Sequence, residues 1–189
     1  MSVHRCGWCL KDDLYINYHD TEWGVPVHDE RTLFEFLILE TMQAGLSWHT
    51  VLKKREAFRT AYRNFDVHAV ARFTEADVER LMSNAGIIRN RAKITASIVN
   101  AQAFLRVAEE WGTFDRYIWN FVDGAPVVNA WTELSQLPAT TPLSDLISRD
   151  LRRRGFSFVG STVVYAHMQA TGMVNDHLTS CFRYHEVMS

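Results

Sequence analysis

The sequence has few of the residues that break or cross-link a chain: 9 glycines, 4 prolines and 3 cysteines among 189 residues. This scarcity excludes collagen-like and low-complexity proteins. With 47% hydrophobic and 22% charged residues, the composition is globular and long enough for one domain with a sizeable core. No apolar run of about eighteen residues occurs, and no basic start precedes an apolar segment at the N-terminus. We therefore expect a soluble, cytoplasmic protein that does not enter a membrane.

The few cysteines lie at the two ends of the chain: Cys6 and Cys9 near the start, and Cys181 near the end. In a reducing compartment, so few thiols favour metal binding or simple burial over structural disulfides. The string "CGWC" resembles the C-x-x-C motif of redox proteins. That motif belongs at the start of a helix in a strand and helix context, which this segment lacks.

The string "VNDHLTSC", residues 174–181, places a histidine and a cysteine four positions apart. On a helix, this spacing would put both on one face. A structural zinc site needs four ligands, so the other two must come from the N-terminal end. The four candidate ligands are Cys6, His19, His177 and Cys181. Two alternatives stay open: the C-terminal pair is a core histidine and a buried thiol, or Cys9 replaces the N-terminal histidine.

Hydrophobic periodicity near 3.6 residues dominates the chain, whereas strand-like alternation is scarce. The expected helices cover residues 29–45, 47–65, 74–86, 89–112, 113–122, 143–154, 161–172 and 174–182. An irregular connection over about 123–142 holds three of the four prolines. The sequence therefore predicts an all-α domain spanning 1–189, with an N-terminal helical part (about 1–122) and a C-terminal helical part (about 143–189).

The net charge of −2 carries no global signature of nucleic-acid binding. Local charge differs from the average. Basic clusters occur at "KKR" (53–55), "RNRAK" (89–93) and "RRR" (152–154). They are either ordinary solvated helix faces or parts of a discontinuous phosphate-binding surface.

The string "RRRGFSFVGSTVVYA" predicts a short hairpin between two helices, bounded by Gly155 and Gly160. Glycine permits the tight backbone. Backbone amides at the start of the second helix would lie at the positive end of its dipole, where a phosphate can bind. The alternative is a simple helix-to-helix connector.

A carboxylate, Glu40, interrupts the very apolar run "FEFLILETM", and aromatic residues are dense around it in the sequence. These aromatic residues are Trp8, Tyr15, Tyr18, Trp23 and Trp48. An unpaired buried charge is costly, whereas a carboxylate facing several rings suits a flat, cationic guest. The alternative is an aromatic core with Glu40 at its surface edge.

Long motifs cover nearly the whole chain: "RCGW", "LYINYHDTEWGVP", "FEFLILETMQAGLSWHTVLKKRE", "AGIIRNRAKI" and "RRRGFSFVGSTVVYAHMQATGMVNDH". In these motifs the sequence closely resembles the bacterial, constitutive type I 3-methyladenine DNA glycosylases of the helix-hairpin-helix superfamily. The resemblance implies a monomeric, monofunctional enzyme of base-excision repair. It would flip out and hydrolyse cationic 3-methyladenine from double-stranded DNA, leaving an abasic site without strand cleavage.

The resemblance also implies roles for individual residues. One structural Zn²⁺ per chain would be held by Cys6, His19, His177 and Cys181. Glu40, the catalytic candidate, and Tyr18 would hydrogen-bond the base, Trp48 would stack on it, and Trp8, Tyr15 and Trp23 would form the surrounding wall. Gly45 and Leu46 would fill the gap left in the duplex. The phosphate-gripping hairpin would use Arg154, Gly155, Gly160 and Ser161, and "AGIIRNR" (85–91) is the second choice for it.

The string "VNDH" departs from the wider superfamily, in which an aspartate commonly occupies the position of Asn175. Asp176 follows it and is expected to point elsewhere. Because 3-methyladenine is cationic in DNA and leaves as a neutral base, little acid catalysis is needed. No lysine nearby suggests a Schiff base. Two other functions remain as alternatives: a non-catalytic, zinc-stabilised module that binds DNA lesions, and a zinc hydrolase with an open metal position.

Overall fold

The computed structural model describes residues 3–188 and is predominantly helical. The α-helices are α1 (Asp13–Thr21), α2 (Glu30–Gln43), α3 (Trp48–Leu52), α4 (Arg55–Ala61), α5 (Val67–Ala71), α6 (Glu75–Met82), α7 (Arg91–Trp111), α8 (Phe114–Trp119), α9 (Pro142–Arg153), α10 (Ser161–Ala170) and α11 (Arg183–Glu186). Single 3₁₀ turns cover Gly7–Cys9, Arg63–Phe65, Asn120–Val122 and Leu134–Gln136. Two short strands, β1 (Val127–Val128) and β2 (Val174–Asn175), pair in parallel. The expected all-α character is confirmed.

Helix α2 is the centre of the core. Every residue from Leu33 to Met42 is buried, as the apolar run predicts. Asp29 begins the helix by accepting a hydrogen bond from the backbone N–H of Thr32 at 2.8 Å. A continuous hydrophobic cluster runs from α1 through α2 and α7 to α10 and β2. The buried face of α2 therefore contacts both terminal parts of the chain.

The segment 47–65, predicted as one helix, is broken into α3, α4 and a 3₁₀ turn. Its start is as expected, since the Ser47 hydroxyl accepts a hydrogen bond from the backbone N–H of Thr50 at 3.2 Å. At the break, Arg55 turns inward and donates to Glu35 at 2.8 Å. At the end, Asn64 has a left-handed backbone with φ of 54°. Long-range ion pairing and local backbone geometry override the helical period.

The predicted helix over 174–182 is wrong. Strand β2 occupies the first two residues, and turns lead from it to α11. Backbone groups here pair across the fold rather than along a helix: Asn129 donates to the carbonyl of Asn175 at 3.2 Å, and Thr179 donates to that of Trp131 at 2.8 Å. The irregular connection thus supplies the hydrogen bonds that a helix would have made internally.

Helices α1, α5 and α11 lie outside the predicted helices, because short segments give a weak periodic signal. The cap of α1 is nevertheless readable, as Asp12 accepts from the backbone N–H of Tyr15 at 3.0 Å. Among the described residues, none of the helices combines the length and apolarity needed to cross a membrane.

The segments 23–27 and 169–172 run side by side and connect the N-terminal part to α10. Gly24 donates to the carbonyl of Gln169 at 3.1 Å, and Val27 donates to that of Thr171 at 3.0 Å. Gly172 follows with φ of +70°. A Cβ atom there would lie 2.4 Å from the backbone nitrogen of Pro26. The close approach of the two backbones therefore requires glycine at this position.

Replacing Gly172 by alanine is expected to lower the free energy of unfolding by about 3 kcal/mol, because strain adds to a clash with rigid backbone. Gly124 is a matched control: its φ is +75°, but a Cβ there would meet nothing within 4 Å. Its alanine variant should lose only about 1 kcal/mol, from backbone conformation alone. Urea unfolding of both variants measures the difference. Equal losses would mean that glycine is needed at position 172 only for its positive φ and not for the close contact with Pro26.

Candidate functional site

Four potential metal ligands from the two ends of the chain form a buried cluster. They are Cys6, His19, His177 and Cys181, and their ligand atoms all lie within 4.8 Å of one another. The Nδ1 atom of His177 lies 3.8 Å from the sulfur of Cys6 and 3.7 Å from that of Cys181. The Nε2 atom of His19 lies 3.5 Å from the sulfur of Cys181. A tetrahedral zinc ion, with its usual bond lengths, separates sulfur and nitrogen ligands by about 3.6 Å. The donor set and its spacing therefore fit such an ion.

The second nitrogen of each imidazole is also positioned. Nε2 of His177 donates to the carbonyl of Trp23 at 2.9 Å, and Nδ1 of His19 lies 2.7 Å from a carboxylate oxygen of Asp20. Arg5 in turn holds Asp20 at 2.8 Å. Carboxylate and carbonyl partners of this kind orient histidine ligands. Both histidines of the cluster therefore have the hydrogen-bond partners that commonly orient metal-bound histidines.

Cys9 does not take part in the cluster. Its thiol donates to the carbonyl of Cys6 at 3.1 Å. Burial raises the pKa of the Cys9 thiol to about 11, which keeps it neutral. The pKa of the Cys181 thiol is lowered, first by the hydrogen bond from Cys6 and then by those from His177 and His19. The geometry therefore favours His19 over Cys9 as the fourth ligand.

A cavity of about 190 Å³ lies beside this cluster, between α1, α2 and α10. All six residues that the sequence suggested for a base pocket line it: Trp8, Tyr15, Tyr18, Trp23, Glu40 and Trp48. An apolar cavity of about 150 Å³ already admits benzene, so this space suits a flat aromatic guest. Its remaining walls come from Gln43, Leu137, Ala166 and Gln169.

Aromatic rings in the cavity wall support one another edge to face. The ring of Trp8 lies 4.9 Å from that of Tyr15 and 5.0 Å from that of Trp23, in T-shaped contacts. The rings of Tyr18 and Trp48 are also in contact, with centroids 5.4 Å apart in a tilted arrangement. Such contacts stabilise ring orientation beyond simple burial. The rings therefore form a firm wall rather than a loose apolar patch.

Glu40 lies inside this wall and not at a surface edge. Its side chain is 3% exposed, and its Oε2 atom is buried with no hydrogen-bond partner. Burial raises the pKa of Glu40 to about 8. The indole Nε1 of Trp48 is likewise buried and unpartnered. Buried polar groups without a hydrogen-bond partner are uncommon in folded proteins. The Oε2 atom of Glu40 and the Nε1 atom of Trp48 are therefore candidates to hydrogen-bond a ligand.

Below the cavity, buried charges hold the aromatic wall in place. Arg55 donates to Glu35 at 2.8 Å and to Glu22 at 2.7 Å. Its guanidinium also lies 5.0 Å from the centre of the Phe36 ring, which stacks with Trp48 at 6.3 Å. Arg55 of the basic cluster at 53–55 is therefore buried and paired, and it is not available to bind a phosphate.

A groove continues from the cavity toward the start of α10. Glu40, Gln43 and Ala166 border both spaces, and the groove is further lined by Ala44, Gly45, Leu46, Thr162 and Val163. Leu46 is 42% exposed at its edge. The loop at 44–47 and the N-terminus of α10 therefore face the same opening.

Lys93 fixes this loop from behind. It is buried and donates to the carbonyls of Met42 and Ala44 at 2.9 and 2.5 Å. Burial lowers the pKa of Lys93. The ammonium group satisfies carbonyls at the end of α2 that the helix leaves free. The basic cluster at 89–93 thus supplies a structural clamp at this position.

The hairpin between α9 and α10 is held by polar contacts on its inner side. Asn100 of α7 exchanges two hydrogen bonds with the backbone of Ser157, at 2.7 and 3.0 Å. Ser148 donates to the carbonyl of Val159 at 2.6 Å. The outer side carries Phe158, which is 40% exposed with a left-handed φ of 56°. The hairpin is therefore a rigid, outward-facing element.

Arg154 is not free at this hairpin. It bonds Asp150 at 2.7 Å and Glu110 at 2.6 Å, and its guanidinium lies 4.9 Å from the centre of the Tyr117 ring. Arg152 is exposed instead, with no ion pair among the described residues, and a guanidinium nitrogen lies close to Gly160. The geometry favours Arg152 over Arg154 as the cation beside the start of α10.

The second choice for a phosphate-binding hairpin, 85–91, joins α6 to α7. Arg91 there pairs with Glu75 and Glu79. The segment contributes no residue to the cavity or to the groove. One of its two arginines is therefore paired within the fold, whereas Arg89 is exposed with no ion pair among the described residues.

Asn175 and Asp176 are both buried, but they face different partners. Asn175 donates to the carbonyl of Tyr184 at 2.9 Å and accepts from the backbone N–H of His177 at 3.2 Å. Asp176 accepts from Tyr165 and Gln169. Neither lines the cavity. The pocket therefore contains Glu40 as its acidic residue among the lining side chains.

A model of the methyladenine glycosylase family matches residues 8–184 of the chain. The chain belongs to this family. It is 51% identical over 182 residues to DNA-3-methyladenine glycosylase 1 of Escherichia coli (strain K12), covering 96% of this chain and 97% of the relative. It is 46% identical over 177 residues to a DNA-3-methyladenine glycosylase of Haemophilus influenzae, covering 94% and 96% of the two chains.

Solved structures agree with this membership of the methyladenine glycosylase family. A crystal structure of 3-methyladenine DNA glycosylase I aligns with a TM-score of 0.91 and 52% identity, covering 95% of this chain and 98% of the other. A structure that concerns 3-methyladenine recognition by 3-methyladenine DNA glycosylase I from Staphylococcus aureus aligns with a TM-score of 0.92 and 35% identity, covering 96% and 97%.

Sequence patterns missed part of the site in this member of the methyladenine glycosylase family. Gln43, Ala166 and Gln169 lie on the cavity-facing sides of two helices, and Leu137 comes from the irregular connection. The helical spacing of Ala166 and Gln169 could have placed them together, because residues three apart share a face. Nothing in the sequence could have placed Leu137, since its approach depends on the path of the connection.

Proposed function

We propose that this protein is a base-excision repair enzyme, a monofunctional 3-methyladenine DNA glycosylase. The observation that carries the proposal is Glu40, a buried carboxylate with an unpartnered oxygen inside an aromatic cavity. Support comes from the family and from relatives that are named 3-methyladenine DNA glycosylases. The substrate is double-stranded DNA containing 3-methyladenine, and the product is an abasic site with an intact strand.

Selection of the base follows from charge. A methylated adenine that is cationic in DNA gains cation–π attraction from Trp48 and the facing rings. The cationic base also gives the buried Glu40 the positively charged partner that it otherwise lacks, so base binding favours ionisation of the Glu40 carboxyl group. Normal adenine is neutral and offers no such compensation. Tyr18, whose pKa is raised well above 10 by burial, remains a neutral hydroxyl that can hydrogen-bond the base.

Cleavage needs little acid catalysis, because the cationic base leaves as a neutral molecule. The pocket extracts the base from the stack, excludes bulk water from it and stabilises charge as it redistributes. Water then attacks the sugar carbon: a bond to oxygen forms, the bond to nitrogen breaks with its electron pair leaving on the neutral base, and one proton of the water is lost to solvent. Glu40 is the catalytic residue proposed for this electrostatic role.

We propose that Cys6, His19, His177 and Cys181 hold one Zn²⁺. Four protein ligands would complete its coordination, so the ion would have a structural role and could not activate water. A zinc hydrolase is therefore disfavoured. The cluster would join the two ends of a single domain, residues 1–189, and the protein would act as a monomer in the bacterial cytoplasm.

We propose that α9, the hairpin and α10 form a helix-hairpin-helix element that grips a DNA phosphate. Gly155 gives the turn its left-handed backbone, with φ of +92°. The first backbone amides of α10, from Ser161 onward, lie beside Arg152 and at the positive end of the helix. The Ser161 hydroxyl lies 2.8 Å from that of Ser144, so its contribution would come from the backbone. Gly45 and Leu46 would enter the gap left by the extruded nucleotide.

Release of free base from N-methylated duplex DNA tests the proposed function directly. We expect purified, metal-loaded protein to release 3-methyladenine and not 7-methylguanine, with no strand break before alkali treatment. Glu40→Ala should weaken release by at least about a hundredfold. A folded, metal-loaded protein that binds the DNA but releases no base would favour the non-catalytic lesion-binding module.

Lys93→Met is expected to slow excision from duplex DNA about tenfold, because the loop carrying Gly45 and Leu46 loses the clamp seen at Met42 and Ala44. Binding of free 3-methyladenine should be unchanged, since Lys93 does not line the cavity. Single-turnover excision and fluorescence titration with the free base measure the two effects. A parallel loss in both would assign Lys93 to general stability.

A further inference from the structure

Asp176 is the centre of a buried hydrogen-bond network behind the base cavity. It is 1% exposed and accepts four hydrogen bonds. Asn129 and Trp131 donate to one carboxylate oxygen, each at 2.7 Å. Tyr165 and Gln169 donate to the other, at 2.5 and 2.9 Å. The carboxylate is thus fully satisfied and has no capacity left for a substrate.

This network fixes which way the amide of Gln169 faces. A carboxylate surrounded only by donors accepts hydrogen bonds, so the amide must present its NH₂ group to Asp176. The amide oxygen, Oε1, is then the polar end left over. Gln169 lines the cavity and Asp176 does not. Among the described residues, the side chain of Gln169 makes no other hydrogen bond, and its oxygen is therefore available to a ligand.

Among the side-chain acceptors that line the cavity are then the carboxylate of Glu40 and the neutral amide oxygen of Gln169, whose orientation the Asp176 network fixes. An adenine-type base carries a donating NH₂ group at position 6, whereas a guanine-type base carries an accepting oxygen there. A fixed acceptor attracts the first group and leaves the second unpaired. Buried polar groups that face an unsuitable partner are penalised more than a missing contact.

We infer that Gln169 is a specificity-determining residue of the base pocket, selecting an amino-bearing purine over an oxo-bearing one. Asp176 is its positioning residue, because it prevents the amide from turning its NH₂ group into the cavity. The inference rests on the proposed function and extends it. The discrimination by charge assigned to Glu40 separates methylated from normal adenine, whereas Gln169 separates adenine from guanine among methylated bases.

The test compares free-base affinities for 3-methyladenine and 3-methylguanine, measured by quenching of the tryptophan fluorescence of the folded, metal-loaded protein. In Gln169→Met, which keeps side-chain length without the amide, the affinity ratio should fall about tenfold. The matched control is Gln102→Met, a glutamine of α7 whose amide donates to the carbonyl of Ala71 and which does not line the cavity. Its ratio should equal that of the wild-type protein.

A ratio is unaffected by the fraction of folded protein, so a purely structural role would not move it. An unchanged ratio in Gln169→Met, with or without equal weakening of both bases, would overturn the inference. Asp176→Asn, which offers an NH₂ group and so lets the amide turn, should also lower the ratio. A retained ratio there would overturn the positioning role of Asp176. Failure of wild-type protein to bind or release 3-methyladenine would instead overturn the proposed function, and the inference with it.

Discussion

Glu40→Gln is expected to lose about a hundredfold in excision rate and yet to be more stable than the wild-type protein. The activity falls because an amide cannot provide the negative charge that the cationic base requires. The stability rises because the folded protein buries a carboxyl group whose Oε2 atom has no partner. The residue would thus be retained for function at the expense of stability.

The stability gain from Glu40→Gln is expected to depend on pH. Burial raises the pKa of Glu40 to about 8 from 4.5. The folded state favours the protonated form, so its contribution to stability is complete below about pH 4.5 and is lost as the pH rises toward 8. At pH 7, glutamine at this position should therefore add about 3 kcal/mol to the free energy of unfolding. At pH 4.5 the two proteins should be nearly equal.

Urea unfolding at several pH values measures the difference, and Glu35 on the same helix provides the matched control. Glu35 is also buried, but Arg55 and Arg59 outweigh its desolvation and hold its pKa below the usual value. Glu35→Gln should therefore destabilise the protein at pH 7, by about 3 kcal/mol, because it leaves Arg55 buried with one partner fewer. If Glu40→Gln were also destabilising at pH 7, the carboxylate of Glu40 would be stabilised by a partner, contrary to our interpretation.

Disruption of the Cys/His cluster, the proposed zinc site, is the second change for which we expect a large effect. His19→Ala or Cys181→Ser should abolish stoichiometric zinc binding and lower the free energy of unfolding by about 4 kcal/mol or more. The cluster is buried and would join two chain segments that no disulfide links among the described residues. Elemental analysis and urea unfolding measure the two losses, and a chelator acting on the unfolded state should reproduce them.

Cys9→Ser is the matched control for these variants, because its thiol contacts the carbonyl of Cys6 and lies outside the cluster. It should keep one zinc ion per chain and nearly full stability. Weaker binding of free 3-methyladenine is also expected in the metal-free variants, since His177 holds the carbonyl of Trp23, a residue of the cavity wall. Full stability in wild-type protein without bound metal would overturn the structural role of the ion.

The sequence grouped the four residues of the Cys/His cluster as the structure does, but it assumed the wrong local structure for two of them. The sequence placed His177 and Cys181 on one face of a helix. Their ligand atoms do converge, at 3.7 Å, but through turns that follow β2. The pairing of β2 with β1 depends on the irregular connection, which carries no periodic signal. Residue chemistry and position at the chain ends were therefore more informative than the assumed helix.

The base cavity could be predicted only in its N-terminal half. Aromatic density around Glu40 indicated five of its ring residues, and the long apolar run indicated a buried helix. The lack of a hydrogen-bond partner for the Oε2 atom of Glu40 could not be predicted, because it depends on which side chains the other helices place near it. Gln169 was missed for the same reason. Its role follows from contacts with Asp176, and only folding brings that network together.

For the proposed phosphate-binding surface, the sequence suggested more cations than the fold leaves available. Three basic clusters are visible in the sequence, but folding consumes Arg55, Lys93 and Arg154 in internal contacts. Net charge and local runs cannot reveal which cations remain available. Arg152 is distinguished from Arg154 only by the acids that α7 and α9 bring nearby.

The metal cluster joins residues that are far apart along the chain: Cys6 and His177 are separated by 171 positions. A ribosome adds residues from the N-terminus onward, so the cluster cannot be completed until the segment that carries His177 and Cys181 has emerged. During synthesis, Trp8 and Trp23 would lack the support that His177 and α10 provide. Newly made protein would therefore complete its aromatic cavity in one late step, when the segment around His177 packs against the segment around Cys6.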